Sequence, residues 1–241
     1  MFFNFNGTKI YYDFWGVKSN RPTLLLHGWG RSSQDFDYLI QQFPERCFLA
    51  IDFPPFGKSN QEVEGWSIFT YAQMVMSLCQ HLKIESVDIL AHSFGVRVAT
   101  ILSAVECSLV HSCIFTGGAG MKPKRSIKYH YKVLRYKFCK KFGKNTDGQG
   151  SKDYLALSPA MKKVFVSVVQ THLEEYAKTI NCPCLLIWGK NDDQTPMYMA
   201  ERLKKLIKNS ELKVIDGAGH FAFLDCPLQF FAFVKQFWEE G

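Results

Sequence analysis

The chain has 241 residues, of which 47% are hydrophobic and 21% charged, the balance of a folded globular protein rather than a disordered one. Its 29 Lys and Arg against 22 Asp and Glu give a formal charge of +7, yet ten of the basic residues lie between Met121 and Asn145 with no acid among them. The rest of the chain is slightly acidic, which excludes a general nucleic-acid footprint. No apolar run approaches the roughly 18 residues of a membrane span, and stable membrane insertion is not expected. The opening MFFNFNGTKIYYDFWG lacks the basic-then-apolar order of a signal peptide, so a cytoplasmic location is expected. This length suits one domain, or one domain with an insertion.

In chain order, Phe2–Phe5 and Thr8–Phe14 read as two strands joined by a turn at Asn6-Gly7. Thr23–Leu26 is a continuous apolar run of the kind found in strands buried on both faces, ending in His27-Gly28-Trp29-Gly30. Ser33–Phe43 reads as a helix, Cys47–Ile51 as a strand ending at Asp52, and Ser67–Leu82 as a helix. Val87–Ala91 is a strand, Ala99–Val105 falls in the helix after it, and Val110–Thr116 is a strand ending in Gly117-Gly118-Ala119-Gly120. The alternation then stops: Lys122 to about Lys178 has helical periodicity without a buried strand. It resumes with Cys184–Trp188 (strand), Pro196–Ile207 (helix), Leu212–Ile215 (strand) and Leu228–Trp238 (helix). Alternating strands and helices imply an α/β protein with a mainly parallel sheet flanked by helices, the leading pair forming an antiparallel edge.

Ile89-Leu90-Ala91-His92-Ser93-Phe94-Gly95 places a serine between small residues at a strand-to-helix turn. Such a turn exposes the serine at a helix N-terminus and crowds its neighbours, so the positions two before and two after must be small. A serine hydroxyl needs a base, and the base needs an acid to orient it. Gly217-Ala218-Gly219-His220-Phe221 and Gly189-Lys190-Asn191-Asp192-Asp193-Gln194-Thr195-Pro196 each follow a strand and supply these. In a parallel sheet the loops after the strands share one edge, so Ser93, an aspartate and His220 can meet. The order Ser, Asp, His also suits this architecture.

Eight cysteines are scattered along the chain, none with the CxxC spacing of a zinc or redox site. Cys182-Pro183-Cys184 is the one close pair. Reduced thiols and no metal site are expected.

With these motifs in place, the chain resembles the α/β-hydrolase superfamily, serine-nucleophile branch, over essentially its whole length. The resemblance rests on the His27-Gly28 loop, the Asp-x-Pro-x-x-Gly-x-Ser loop at 52–59, the turn at 91–95, and the loops at 189–196 and 217–220. Ala91 departs from the usual glycine by one methyl, and Pro54-Pro55 stands where Pro-Gly is common. The resemblance implies a catalytic triad of Ser93, Asp192 and His220, with Asp193 a solvated neighbour. It implies an oxyanion hole from the backbone N–H groups of Trp29 and Phe94, and a substrate pocket walled by Trp29, Phe94 and Phe221. His27 and His92 are then structural, and Asp52 anchors its loop. Residues 1–120 and 179–241 form the core domain, and 121–178 a helical lid. Two apolar stripes are expected there: Ile127, Tyr131, Leu134, Phe138 and Phe142 on a basic helix, and Met161, Phe165, Val168 and Val169 lining the pocket. The activity implied is cofactor-independent hydrolysis of small carboxylic esters with an apolar acyl group, as in carboxylesterases with a short lid. Carbon–carbon bond hydrolases, lyases or synthases acting on an anionic molecule, and small-ligand receptors share the same machinery.

Overall fold

The computed structural model of the protein describes residues 1–124 and 152–240. Strands β1 (Phe2–Phe5), β2 (Thr8–Gly16), β3 (Thr23–Leu26), β4 (Cys47–Ile51), β5 (Val87–His92), β6 (Val110–Thr116), β7 (Cys184–Gly189) and β8 (Ser210–Ile215) form one eight-stranded sheet. Their order is β1-β2-β4-β3-β5-β6-β7-β8. β1 and β2 pair antiparallel, β2 is antiparallel to β4, and the remaining pairs are parallel. The leading hairpin is therefore the expected antiparallel edge. The described helices are α1 (Asp37–Gln42), α2 (Ile68–His81), α3 (Phe94–Val105), α4 (Lys152–Leu155), α5 (Pro159–Gln170), α6 (Glu174–Ala177), α7 (Met197–Leu206), α8 (Ala222–Asp225) and α9 (Pro227–Glu240). None of them is long and apolar enough to cross a membrane.

Two core layers follow from the two-residue period of a strand. Leu24 and Leu26 of β3, with Ile89 and Ala91 of β5, join the layer that contains Tyr71 of α2, Val96 of α3 and Leu203 of α7. Leu25 and Leu90 point the other way and pack with Leu39 of α1 and with Phe223, Phe230 and Val234 of α8 and α9. Every side chain of Leu24–Leu26 is fully buried, which explains the unbroken apolar run. Each such leucine contributes about 2 kcal/mol of hydrophobic stabilisation.

Some boundaries differ from expectation. The segment Ser33–Phe43 divides into a 3-10 turn over Ser33–Phe36 and the short helix α1. The Ser33 N–H donates to Asp52 Oδ1 at 2.7 Å, so the chain enters the turn already tied to the sheet. Strand β8 begins two residues before Leu212, on the half-buried Ser210 and exposed Glu211, which no apolar signal marks. The described part of 121–178 holds α4, α5 and α6 and no strand. The basic helix with the stripe from Ile127 to Phe142 lies outside the described residues.

The parallel strands β3, β5, β6, β7 and β8 end on the same sheet edge. His27, Ser93, Gly117, Asp192 and His220 lie in or just beyond the loops that leave those ends.

Candidate active site

Ser93 sits at the joint between β5 and α3 with φ 50° and ψ −106°. This is an unfavourable backbone conformation for a residue with a Cβ. The surroundings hold it there: the Ser93 N–H donates to Thr116 O at 3.1 Å, and its carbonyl accepts from Ala119 N at 3.3 Å. Gly95 explains the need for a small residue two positions on. A Cβ at Gly95 would lie 2.1 Å from Leu26 O, so helix α3 can pass β3 this closely only without a side chain. Ala91 is fully buried within β5, and its methyl is accommodated there. Phe94 opens α3, and its N–H is among the first of a helix, which intrahelical bonds leave unsatisfied.

Asp192 and His220 meet as the strand order predicts. The His220 Nδ1 lies 2.9 Å from Asp192 Oδ2, and both residues are buried. Asp192 accepts three further bonds, from Gln194 N at 2.9 Å, Thr195 N at 2.8 Å and Thr195 Oγ1 at 2.7 Å. Burial pushes its pKa upward, but the hydrogen bonds from His220 and Thr195 outweigh burial, and the carboxyl sits below its ordinary range. With the carboxylate ionised, the contact is a hydrogen bond in which His220 Nδ1–H donates. Asp193 is exposed, as expected of a solvated neighbour. The Asp192 and His220 loops interlock: Asn191 N–H donates to Ala218 O at 2.9 Å, and a Cβ at Gly189 would fall 2.1 Å from Gly219 O.

Ser93 and His220 share the wall of a cavity of about 300 Å³. Trp29, Phe94 and Phe221 line it too, so the three predicted pocket residues are brought together. The Trp29 ring packs against Phe94 at 5.3 Å and Phe165 at 5.2 Å. Helix α5 adds Phe165, Val168 and Val169, three of the four residues in its expected stripe, while Met161 is buried in the core. A larger hollow of about 680 Å³ lies beside Trp15, Val17 and Ile84 at the opposite edge of the sheet, away from these groups.

The other motif residues are structural. His27 is fully buried, with Nδ1 2.7 Å from Gly28 O and Nε2 accepting from Phe53 N–H at 2.8 Å. Both ring nitrogens are occupied, and burial lowers the pKa, so the ring braces its loop as a neutral group. Asp52 accepts from Ser33 N and from Lys58 N at 2.8 Å, which ties two loops together. His92 does more than expected. Its Nε2 donates to His220 O at 3.1 Å, and its ring lies 4.8 Å from that of His220, so it supports His220 directly. Burial and the neighbouring His220 push its pKa down to about 3, keeping it neutral.

Two site residues were not singled out in the sequence. Thr195 holds Asp192 through both its N–H and its hydroxyl, and its position three residues after the acid was the available signal. Arg97 lines the cavity one helical turn beyond Ser93, with Nη1 donating to Val168 O at 2.9 Å and Thr171 O at 2.7 Å. Nothing in the sequence pairs it with those carbonyls.

The family model of the alpha/beta hydrolase family matches residues 23–233. The chain is 23% identical to the AB hydrolase superfamily protein YisY of Bacillus subtilis (strain 168), with 92% of each chain covered. It is 25% identical to the non-heme chloroperoxidase CPO-A1 of Kitasatospora aureofaciens, covering 89% of this chain and 90% of the relative. Among solved structures, the esterase EaEST from Exiguobacterium antarcticum superposes with a TM-score of 0.77 at 24% identity, covering 96% of each chain. The alpha/beta hydrolase MGS-M2, from a Medee basin deep-sea metagenome library, gives 0.80 at 18% identity, covering 99% of this chain and 97% of that one. At such identities the structural likeness establishes the fold.

Proposed function

Because the chain belongs to the alpha/beta hydrolase family, we propose that it is a serine hydrolase that cleaves small carboxylic esters with an apolar acyl group. The observation that carries this reading is the buried Asp192–His220 contact of 2.9 Å on the wall that also holds the strained Ser93. Ser93 Oγ attacks the ester carbonyl while His220 Nε2 takes its proton. Asp192 holds the imidazole by Nδ1 and stabilises its cation. The Trp29 and Phe94 N–H groups receive the charge that develops on the carbonyl oxygen. The tetrahedral intermediate collapses, the carbon–oxygen bond to the alcohol breaks, and His220 returns the proton to the leaving alkoxide. Water then attacks the acyl-enzyme, giving a proton to His220. The acid product leaves as Ser93 regains its hydrogen.

Trp29, Phe94, Phe165 and Phe221 supply the apolar surface for an acyl chain. Residues 121–178 act in this reading as a lid on the core formed by 1–120 and 179–241. A second reading has its own observation: Arg31 and Arg97 line the same cavity, Arg31 paired with Asp35 and Arg97 bound to the carbonyls of Val168 and Thr171. They favour an anionic small molecule, cleaved at a carbon–carbon bond or acted on by a lyase of this fold.

Hydrolysis of p-nitrophenyl esters from acetate to laurate, wild type beside Ser93→Ala, tests the proposal. Turnover on one or more of these esters is expected, falling by about 10⁴-fold or more in the variant. Full activity in Ser93→Ala would overturn the mechanism. No turnover of these esters by the folded wild type, with cleavage of a carboxylate-bearing substrate in a parallel assay, would select the second reading.

A further inference from the structure

Cys113 and the close pair Cys182 and Cys184 converge at the sheet edge opposite the cavity. Cys113 of β6 and Cys184, the first residue of β7, are register partners, and Cys182 precedes Cys184 across Pro183. The Cys113 and Cys182 sulfurs are 3.8 Å apart, and all three sulfurs lie within 4.8 Å of one another. We propose that Cys113, Cys182 and Cys184 bind a soft d¹⁰ metal ion of the monovalent copper type through three thiolates.

Geometry supports this first. Three sulfurs each about 2.3 Å from one ion stand about 3.8–4.0 Å apart. One pair already has that separation, and the third sulfur needs only a small adjustment. The donor set selects the ion. Among the described residues no imidazole or carboxylate joins the three sulfurs, and soft ligands favour soft ions. His111 is near but is held by Asp88 at 3.0 Å. Three protein donors match the trigonal preference of a monovalent d¹⁰ ion better than the four-ligand closed sites of zinc.

Access agrees with the geometry, and the ion displaces the thiol protons as it binds. Cys113 and Cys184 are buried, while Cys182 is partly exposed and offers the entry point. A cavity of about 360 Å³ reaches Cys184 and Pro183 from the surface.

The test uses the full chain, fully reduced and free of oxygen, titrated with Cu(I) in competition with a chromophoric copper chelator. One equivalent per chain should resist the chelator, and X-ray absorption should show three sulfurs at about 2.3 Å. Cys182→Ser, at the part-exposed corner, should lose that retention while its circular dichroism and melting temperature show a folded protein. Cys107→Ser, at an exposed cysteine outside the cluster, should keep it. Two results would overturn the site: no retained equivalent, or equal retention in Cys182→Ser.

Discussion

Ser93 pays for its exposure in backbone strain. At φ 50° and ψ −106°, a residue with a Cβ is disfavoured by roughly 1–2 kcal/mol. Ser93→Gly should therefore be more stable to urea than Ser93→Ala by about 1 kcal/mol, with both expected to lack the proposed activity. Equal stabilities would mean that the turn is not strained. The neighbouring carboxylates separate just as sharply. Asp192 is buried and accepts four hydrogen bonds, whereas Asp193 is exposed. Asp192→Asn should lower kcat about 10⁴-fold by disturbing the tautomer and orientation of His220. Asp193→Asn should change it little. The opposite ranking in steady-state kinetics would reassign the acid.

Helix α5 shows how an element is placed by a few polar contacts. Ser158 caps its start by accepting from Met161 N–H at 3.2 Å, and Pro159 occupies the first turn. Arg97 binds the carbonyls of Val168 and Thr171 at its end, where a cation also suits the helix dipole. Arg97→Met should speed amide exchange across α5 and raise KM for longer acyl chains, because Phe165, Val168 and Val169 would lose their fixed position. Unchanged exchange would show that apolar packing alone holds the helix. Much of this architecture was legible because its signals are local. The apolar runs of β3 to β7, the Ser93 turn and the glycine-flanked His220 loop each lie within a few residues. The contacts between Arg97 and Val168, and between Cys113 and Cys182, were not legible. They join residues 71 and 69 positions apart and leave no periodic trace. The split of Ser33–Phe43 was hidden likewise, because Asp52, 19 residues on, binds the Ser33 N–H.

The molecule as a whole carries its imidazoles in a way that sets its acid stability. Burial lowers the pKa of both His27 and His92, the latter to about 3. The unfolded chain protonates these rings near their ordinary value, while the folded chain keeps them neutral. Stability should thus fall as pH drops below about 6.5. Asp192, with its folded pKa lowered, adds stability above the ordinary carboxylate range, and this is lost as pH falls through its folded value. A plot of melting temperature against pH should slope downward from about pH 6.5 and steepen below about pH 4. A flat profile between about pH 7 and 5 would contradict the buried neutral rings.

The backbone contact between Gly189 and Gly219, and the bond from Asn191 to Ala218, lock the Asp192 and His220 loops into one block. Ser93 belongs to a different block, the β5–α3 joint, and His92 bridges the two through the His220 carbonyl. Gentle heating should open the seam between blocks before it parts acid from base. An enzyme that fades below its melting point would then keep the low-field proton resonance of its Asp192–His220 bond after its nucleophile has stopped reacting.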